Sequence, residues 1–222
     1  MRKILIAGLA CTLLLASCRP GRIDLGPPLS RLERIEGYAS LRIKGEQGSA
    51  RSKFSFYFHL PQQGWIQVSS FLGKTIYRIL IDNGEAFFIV PSKKVYWRGE
   101  EEEIIDKFLG FRLSLEEMTG LLSGRWEMEE PGMKGWIFER DEGGRICAGR
   151  KADFRFEVRE FFCTSPFARH IAFFHPSSEG QLKVLSVGVN PPPKKSVFSK
   201  EFLESCEQKS WLEIEEMIEN AH

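Results

Sequence analysis

The chain alternates. Ala39, Leu41 and Ile43 interleave with Ser40, Arg42 and Lys44, and Phe54, Phe56, Phe58 and Leu60 interleave with Ser55, Tyr57 and His59. A period of two puts one set on each face of a strand. Turn residues separate the runs: Gly45 and Gly48, then Pro61 to Gly64, then Asp82-Asn83-Gly84. Strands are therefore expected near 39–43, 54–60, 66–69, 75–81, 85–90 and 94–98, as a meander. Upstream, Ser30 and Glu33 have capping-box spacing, which predicts a short helix running to Glu36.

The period then changes. Over residues 100–109, Ile104, Ile105, Phe108 and Leu109 fall on one helical face, and Gly110 stops the run. The acidic residues Glu100 to Glu103 sit where a helix dipole favours them and read as a solvated helix start. Ser114 and Glu117 form a second capping box, opening a helix that carries Leu115, Met118, Leu121 and Leu122 and ends before Gly124. Alternation resumes at 136–140, 154–162, 169–175 and 182–189. After Pro191, Pro192 and Pro193, residues 210–221 read as a last amphipathic helix with Trp211, Ile214, Met217, Ile218 and Ala221 on its face. That helix either packs on its own sheet or docks a partner. The class is α+β, mainly β. A curved antiparallel sheet whose apolar face is covered by helices is the economical arrangement.

Composition adds three points. Phenylalanine is abundant, 18 of 222 residues, so the apolar face is rich in aromatics. The net charge of +1 gives no reason to expect a nucleic-acid partner. Cys147, Cys163 and Cys206 have no metal-ligand spacing. Cys147 and Cys163 can pair if their segments are neighbours; otherwise all three are thiols. His59, His170 and His175 sit in strand-like segments without metal-binding or triad spacing, and no cofactor, metal or catalytic group is expected. Lys93-Lys94 and Lys194-Lys195 are short basic pairs, suited to anionic lipid heads or simply to solvent.

The N-terminus has its own logic. Arg2 and Lys3 precede an apolar run over residues 4–16, too short to span a bilayer. Leu15-Ala16-Ser17-Cys18 resembles the lipobox of bacterial lipoproteins. That resemblance implies a signal peptide over 1–17, a diacylglycerol on Cys18 and usually a third acyl chain on its amino group. A second chain is what makes such an anchor stable. Residues 18–29, with Gly21, Gly26, Pro27 and Pro28, read as a tether, and residues 30–222 as one domain with a helical insert at about 100–124. Arg19, in place of the aspartate that retains enteric lipoproteins in the inner membrane, implies the inner leaflet of the outer membrane, facing the periplasm.

On such a chain, the order of motifs resembles the LolA/LolB family of outer-membrane lipoprotein localisation proteins. The likeness rests on Gly37-x-Ala39-x-Leu41-x-Ile43, on Ser49-Ala50 before the alternating aromatics, and on Ser70 to Thr75. It rests also on Gly110-Phe111-x-Leu113-Ser114 with the helix that follows. It covers residues 32–125, and the second half only by strand rhythm. The resemblance implies an unclosed β-barrel with a helical lid over an acyl-chain cavity. Alternation assigns Phe54, Phe56, Phe58, Ile66, Val68, Tyr77, Ile79 and Ile81 as the candidate wall of such a cavity, with Leu115, Met118 and Leu122 as candidate lid contacts; the alternative is a close-packed core with no cavity. Leu72 maps onto the family's protruding leucine, with Phe71 beside it where the family carries proline; the pair either dips into a bilayer as a membrane-insertion loop or tucks under the strand ends. The implied partners are acyl chains of lipoproteins or lipids, the membrane and a periplasmic carrier protein. A structural or assembly lipoprotein holding a protein partner is the alternative; a lipid-sensing regulator comes next, and an enzyme last.

Overall fold

A computed structural model describes residues 31–45, 48–70, 72–126, 135–163 and 165–219. Cys18, the expected leader and tether, and Phe71 lie outside the described residues. The first six strands are β1 (Arg34–Gly45), β2 (Gly48–His59), β3 (Gln63–Ser69), β4 (Thr75–Asp82), β5 (Glu85–Val90) and β6 (Val95–Glu100). Helices α1 (Glu101–Leu109) and α2 (Leu115–Ser123) follow. Next come β7 (Ile137–Arg140), β8 (Ile146–Lys151), β9 (Phe154–Phe161), β10 (Ala168–His175) and β11 (Ser178–Val189), then α3 (Phe202–Ser205), β12 (Glu207–Gln208) and α4 (Trp211–Glu219).

All twelve strands join one sheet in the order β12-β6-β5-β4-β3-β2-β1-β11-β10-β9-β8-β7. Two meanders thus meet at β1 and β11, which pair antiparallel from Ile35–Val189 to Gly45–Ser178. Among the described strands, only the two-residue β12 runs parallel to its neighbour, β6. The connection from β6 to β7 must cross from one side of the sheet to the other, and α1 and α2 make that crossing. Their side of the sheet is its inner face. Both helices stop at glycines with left-handed backbone, Gly110 at φ 76° and Gly124 at φ 65°, where a side chain is disfavoured.

The expected helix over 30–36 does not form through its second half, because β1 already begins at Arg34. Ile35 is fully buried between Phe58 and Val189. A single helical turn is marginal by itself, whereas a central strand position gains two ladders and a buried side chain. The segment is held instead by Asn190, whose carboxamide oxygen accepts the amide N–H groups of Glu33 and Arg34 at 2.9 Å each.

Beyond β11 the chain turns back across the outer face. Phe198, Phe202 and Cys206 cover Leu80, Phe87, Ile89 and Tyr96. It then rounds β6 through β12, and α4 enters on the inner side with Ile214 fully buried. Trp211 meets Phe88 and Trp97 edge-on at 5.4 and 5.6 Å. Of the two roles open to the last helix, the structure shows packing on its own sheet. The double cover explains why β5, from Ala86 to Val90, is buried on both faces and does not alternate. Strand β8, α3 and β12 were not anticipated; β8 carries Cys147, Gly149 and Arg150 and lacks a clean period of two.

Candidate functional site

Between the sheet's inner face and the helices lies a cavity of about 490 Å³. That is within the ~300–1,000 Å³ usual for small-molecule sites. The eight wall residues named from alternation, Phe54, Phe56, Phe58, Ile66, Val68, Tyr77, Ile79 and Ile81, all line it. Register brings them together: Phe54 lies opposite Val68 and Val68 opposite Tyr77, while Phe56 lies opposite Ile66 and Ile66 opposite Ile79. Phe54, Phe56 and Phe58 stack along β2 with ring centroids 6.3 and 5.2 Å apart. Gly37 makes that ladder fit, since a Cβ there would stand 2.6 Å from the Phe56 ring and 2.3 Å from the Ser186 carbonyl oxygen.

The lid residues divide. Met118 and Leu122 of α2 line the cavity. Leu115 does not; it is fully buried where α2 begins and rests on Gly64, whose absent Cβ leaves it room. Several lining residues were not singled out as cavity wall: Leu41 and Ile43 of β1, Phe173 and Leu182 from the second meander, Ile105 of α1, and Trp211 and Ile218 of α4. The α4 face was legible as amphipathic, but its destination depends on the long-range course of the chain.

Polar groups are few. Tyr77 packs on Phe88 at 4.9 Å, and burial pushes its phenol up to about 12, so it is neutral across the physiological range. Lys107 lies over the Trp211 ring at 5.0 Å, and Glu215 of α4 and Arg51 of β2 are also at the lining, so charge reaches it from both the helices and the sheet. An apolar wall with so few polar groups suits a hydrocarbon ligand.

The lid is held by a buried carboxylate. Glu117 is only 2% exposed; one oxygen accepts Trp136 Nε1–H at 2.7 Å and Lys151 Nζ at 2.5 Å, and the other accepts the Ser114 amide at 3.0 Å. Ser114 Oγ accepts the Glu117 amide in return, so the predicted capping box is present. Glu101 of α1 accepts the Leu115 amide, which ties the two helices together. Burial is the largest influence on Glu101 and pushes its carboxyl up.

Leu72 stands in the turn after β3, 71% exposed. Hydrogen bonds from Ser70 N to Lys74 O and from Gly73 N to Ser70 O close the turn beneath it. Among the described residues the histidines do not gather: His59 contacts Gln63, His175 contacts Ser177, and His170 Nε2 is buried with no hydrogen-bond partner there. Cys147, Cys163 and Cys206 are all free thiols.

No protein-family model matches the chain, and no curated protein matches it significantly. Solved structures do. A DUF1329 family protein from Desulfovibrio piger superposes with a TM-score of 0.55 at 10% identity, over 77% of this chain and 91% of that one. A LolA superfamily protein from Nitrosomonas europaea superposes with a TM-score of 0.53 at 8% identity, over 81% of this chain and 94% of that one. At such identities the shared property is the fold: what this chain has in common with these two proteins is an unclosed, curved sheet with helices across its inner face.

Proposed function

We propose that this chain is a lipid-anchored, non-enzymatic carrier of the bacterial envelope that binds acyl chains of lipoproteins or lipids and helps localise them to the outer membrane. The observation that carries this reading is the apolar cavity under the α1–α2 lid, lined by aromatic and branched side chains from both meanders. Its resemblance in fold to a LolA superfamily protein supports the same reading. The lipobox-like Leu15-Ala16-Ser17-Cys18 supplies the anchor, and Arg19 directs it outward, facing the periplasm. A periplasmic carrier protein would hand over the cargo, and Leu72 with Phe71 would enter the receiving leaflet.

Acyl binding needs no catalyst. Each buried methylene contributes about 0.8 kcal/mol against water, but a chain moving between cavity and bilayer exchanges one apolar environment for another. Differences in affinity set the direction, and the lid keeps water out during transit. The alternative, a scaffold that holds a protein partner, calls for lid helices packed tight on the sheet; the cavity beneath them favours the carrier.

The test is native mass spectrometry of residues 18–222 carrying Cys18→Ser, mixed with a triacylated lipopeptide. A one-to-one complex is expected. Phe56→Glu should weaken it at least tenfold, and Glu204→Lys, exposed on α3, should leave it unchanged. No complex, under conditions where an established acyl-chain carrier forms one, would overturn the proposal.

A further inference from the structure

The outer face of the central strands carries a charge pattern that the cavity does not explain. Ala39, Leu41 and Ile43 line the cavity on the inner side, so Ser40, Arg42 and Lys44 of β1 face outward. Residues directly opposite across an antiparallel pair share a face. Arg42 lies opposite Arg51 of β2, and Ser40 lies between Lys53 of β2 and Lys183 of β11. All four cations are exposed. The acid on this patch, Glu179, is engaged by Lys44 at 3.4 Å. Arg42, Arg51, Lys53 and Lys183 have no side-chain hydrogen bond or ion pair among the described residues. Like charges placed opposite each other on a sheet are destabilising. Solvation alone would be served as well by serine or threonine, so the cluster points to an anionic partner.

Three features select a membrane as that partner. Val68 lies opposite Phe54, so the turn after β3 that bears Leu72 leaves the sheet beside Lys53. An exposed leucine and four unpaired cations at one end of a molecule match a bilayer's apolar interior beneath its charged surface. The cavity reaches this same end, since Ala50, Arg51 and Ser52 belong to its lining. The sheet presents the cations over three neighbouring strands, about 10 Å wide, which is a plane rather than a pocket.

The anchor allows this orientation. Arg34 begins β1 at the opposite end, opposite His59. The twelve residues of β1 span about 40 Å, whereas the 16-residue step from Cys18 to Arg34 reaches about 54 Å when extended. A chain anchored at Cys18 can therefore turn its far end to the leaflet.

We infer that the outer face of β11, β1 and β2 is an electrostatic membrane-contact site that takes anionic phospholipid headgroups and sets the cavity's Leu72 end against the bilayer. This deepens the carrier reading and rests on it for the purpose of the contact, though not for the contact itself. The experiment is co-sedimentation of residues 18–222 with Cys18→Ser on vesicles of phosphatidylcholine alone or with one quarter phosphatidylglycerol, at low and high salt. Binding should require phosphatidylglycerol and fall with salt. At about fivefold per cation, Arg42→Gln with Lys53→Gln should weaken it ~20-fold, and adding Lys183→Gln should weaken it ~100-fold. The double variant, which relieves the Arg42–Arg51 like-charge pair, gives the reading if the triple one does not fold. Lipopeptide binding in solution should be unchanged in both, which separates this site from the cavity. Absence of phosphatidylglycerol-dependent binding, or equal binding by the folded variants, would overturn the inference and assign the face to an acidic protein surface.

Discussion

Glu117 shows how much one residue's role depends on distant partners. The sequence makes it the third residue of a helix behind Ser114, and it fills that capping role. Folding then adds Trp136 and Lys151, from beyond α2, to the same carboxylate. Removing it leaves an indole N–H and an ammonium facing a buried gap, and such losses cost most where water cannot replace the partner. Lys151 is 37% exposed and keeps some water, which reduces the cost. Glu117→Ala should therefore destabilise the protein by roughly 2–3 kcal/mol, read in urea as a lower midpoint with an unchanged slope. A change below about 0.5 kcal/mol would mean that solvent already reaches the carboxylate.

At the scale of elements, the segment after β11 is a clasp. It covers the outer face of β4 to β6, pairs briefly with β6, and returns inside as α4. Lys200 fixes its middle, 2.8 Å from Asp82 and 3.5 Å from Glu85 across the β4–β5 turn. Hydrogen bonding to Lys200 holds the Asp82 carboxyl below its ordinary 3.8, and hydrogen bonding to Asp82 holds the Lys200 ammonium above its ordinary 10.5. Each shift favours the charged form in the folded protein. The Asp82 contribution is fully present above pH ~4 and is lost as pH falls through its lowered value. The Lys200 contribution is fully present below pH ~10 and is lost as pH rises through its raised value. Lys200→Met should thus cost up to about 1 kcal/mol near neutrality and converge with the parent at both extremes. Unfolding curves from pH 2 to 11 would show it; a constant offset would assign the effect to packing.

At the scale of the molecule, a hollow apolar interior gives up packing that a filled core would gain. A ligand that fills it should return that stability through linkage. Lipopeptide at about a hundred times its dissociation constant should stabilise the fold by about 2.7 kcal/mol, raising Tm by roughly 5–10 °C for a chain of this size. Scanning fluorimetry would read the shift, which Phe56→Glu should abolish. Stabilisation persisting in that variant would place the ligand elsewhere.

Sequence by itself determined what is local. Alternation assigned Phe54, Phe56 and Phe58 to one face of a strand, because a period of two needs no knowledge of the neighbours. Gly110 and Gly124 set the ends of α1 and α2 for the same kind of reason: left-handed backbone favours glycine wherever it occurs. Asn83 and Gly84, at φ 56° and 82°, fixed the β4–β5 turn. Tertiary structure decided what depends on partners far away in the chain. Pairing with β2 and β11 made residues 34–36 strand rather than helix. The clasp made β5 a doubly buried strand, and the β6-to-β7 crossing put Met118 and Leu122 over the wall. The cations at 42, 51, 53 and 183 became neighbours only through two strand registers. An apolar face is written in the order of side chains, whereas the space in front of it depends on how far away the next layer stands.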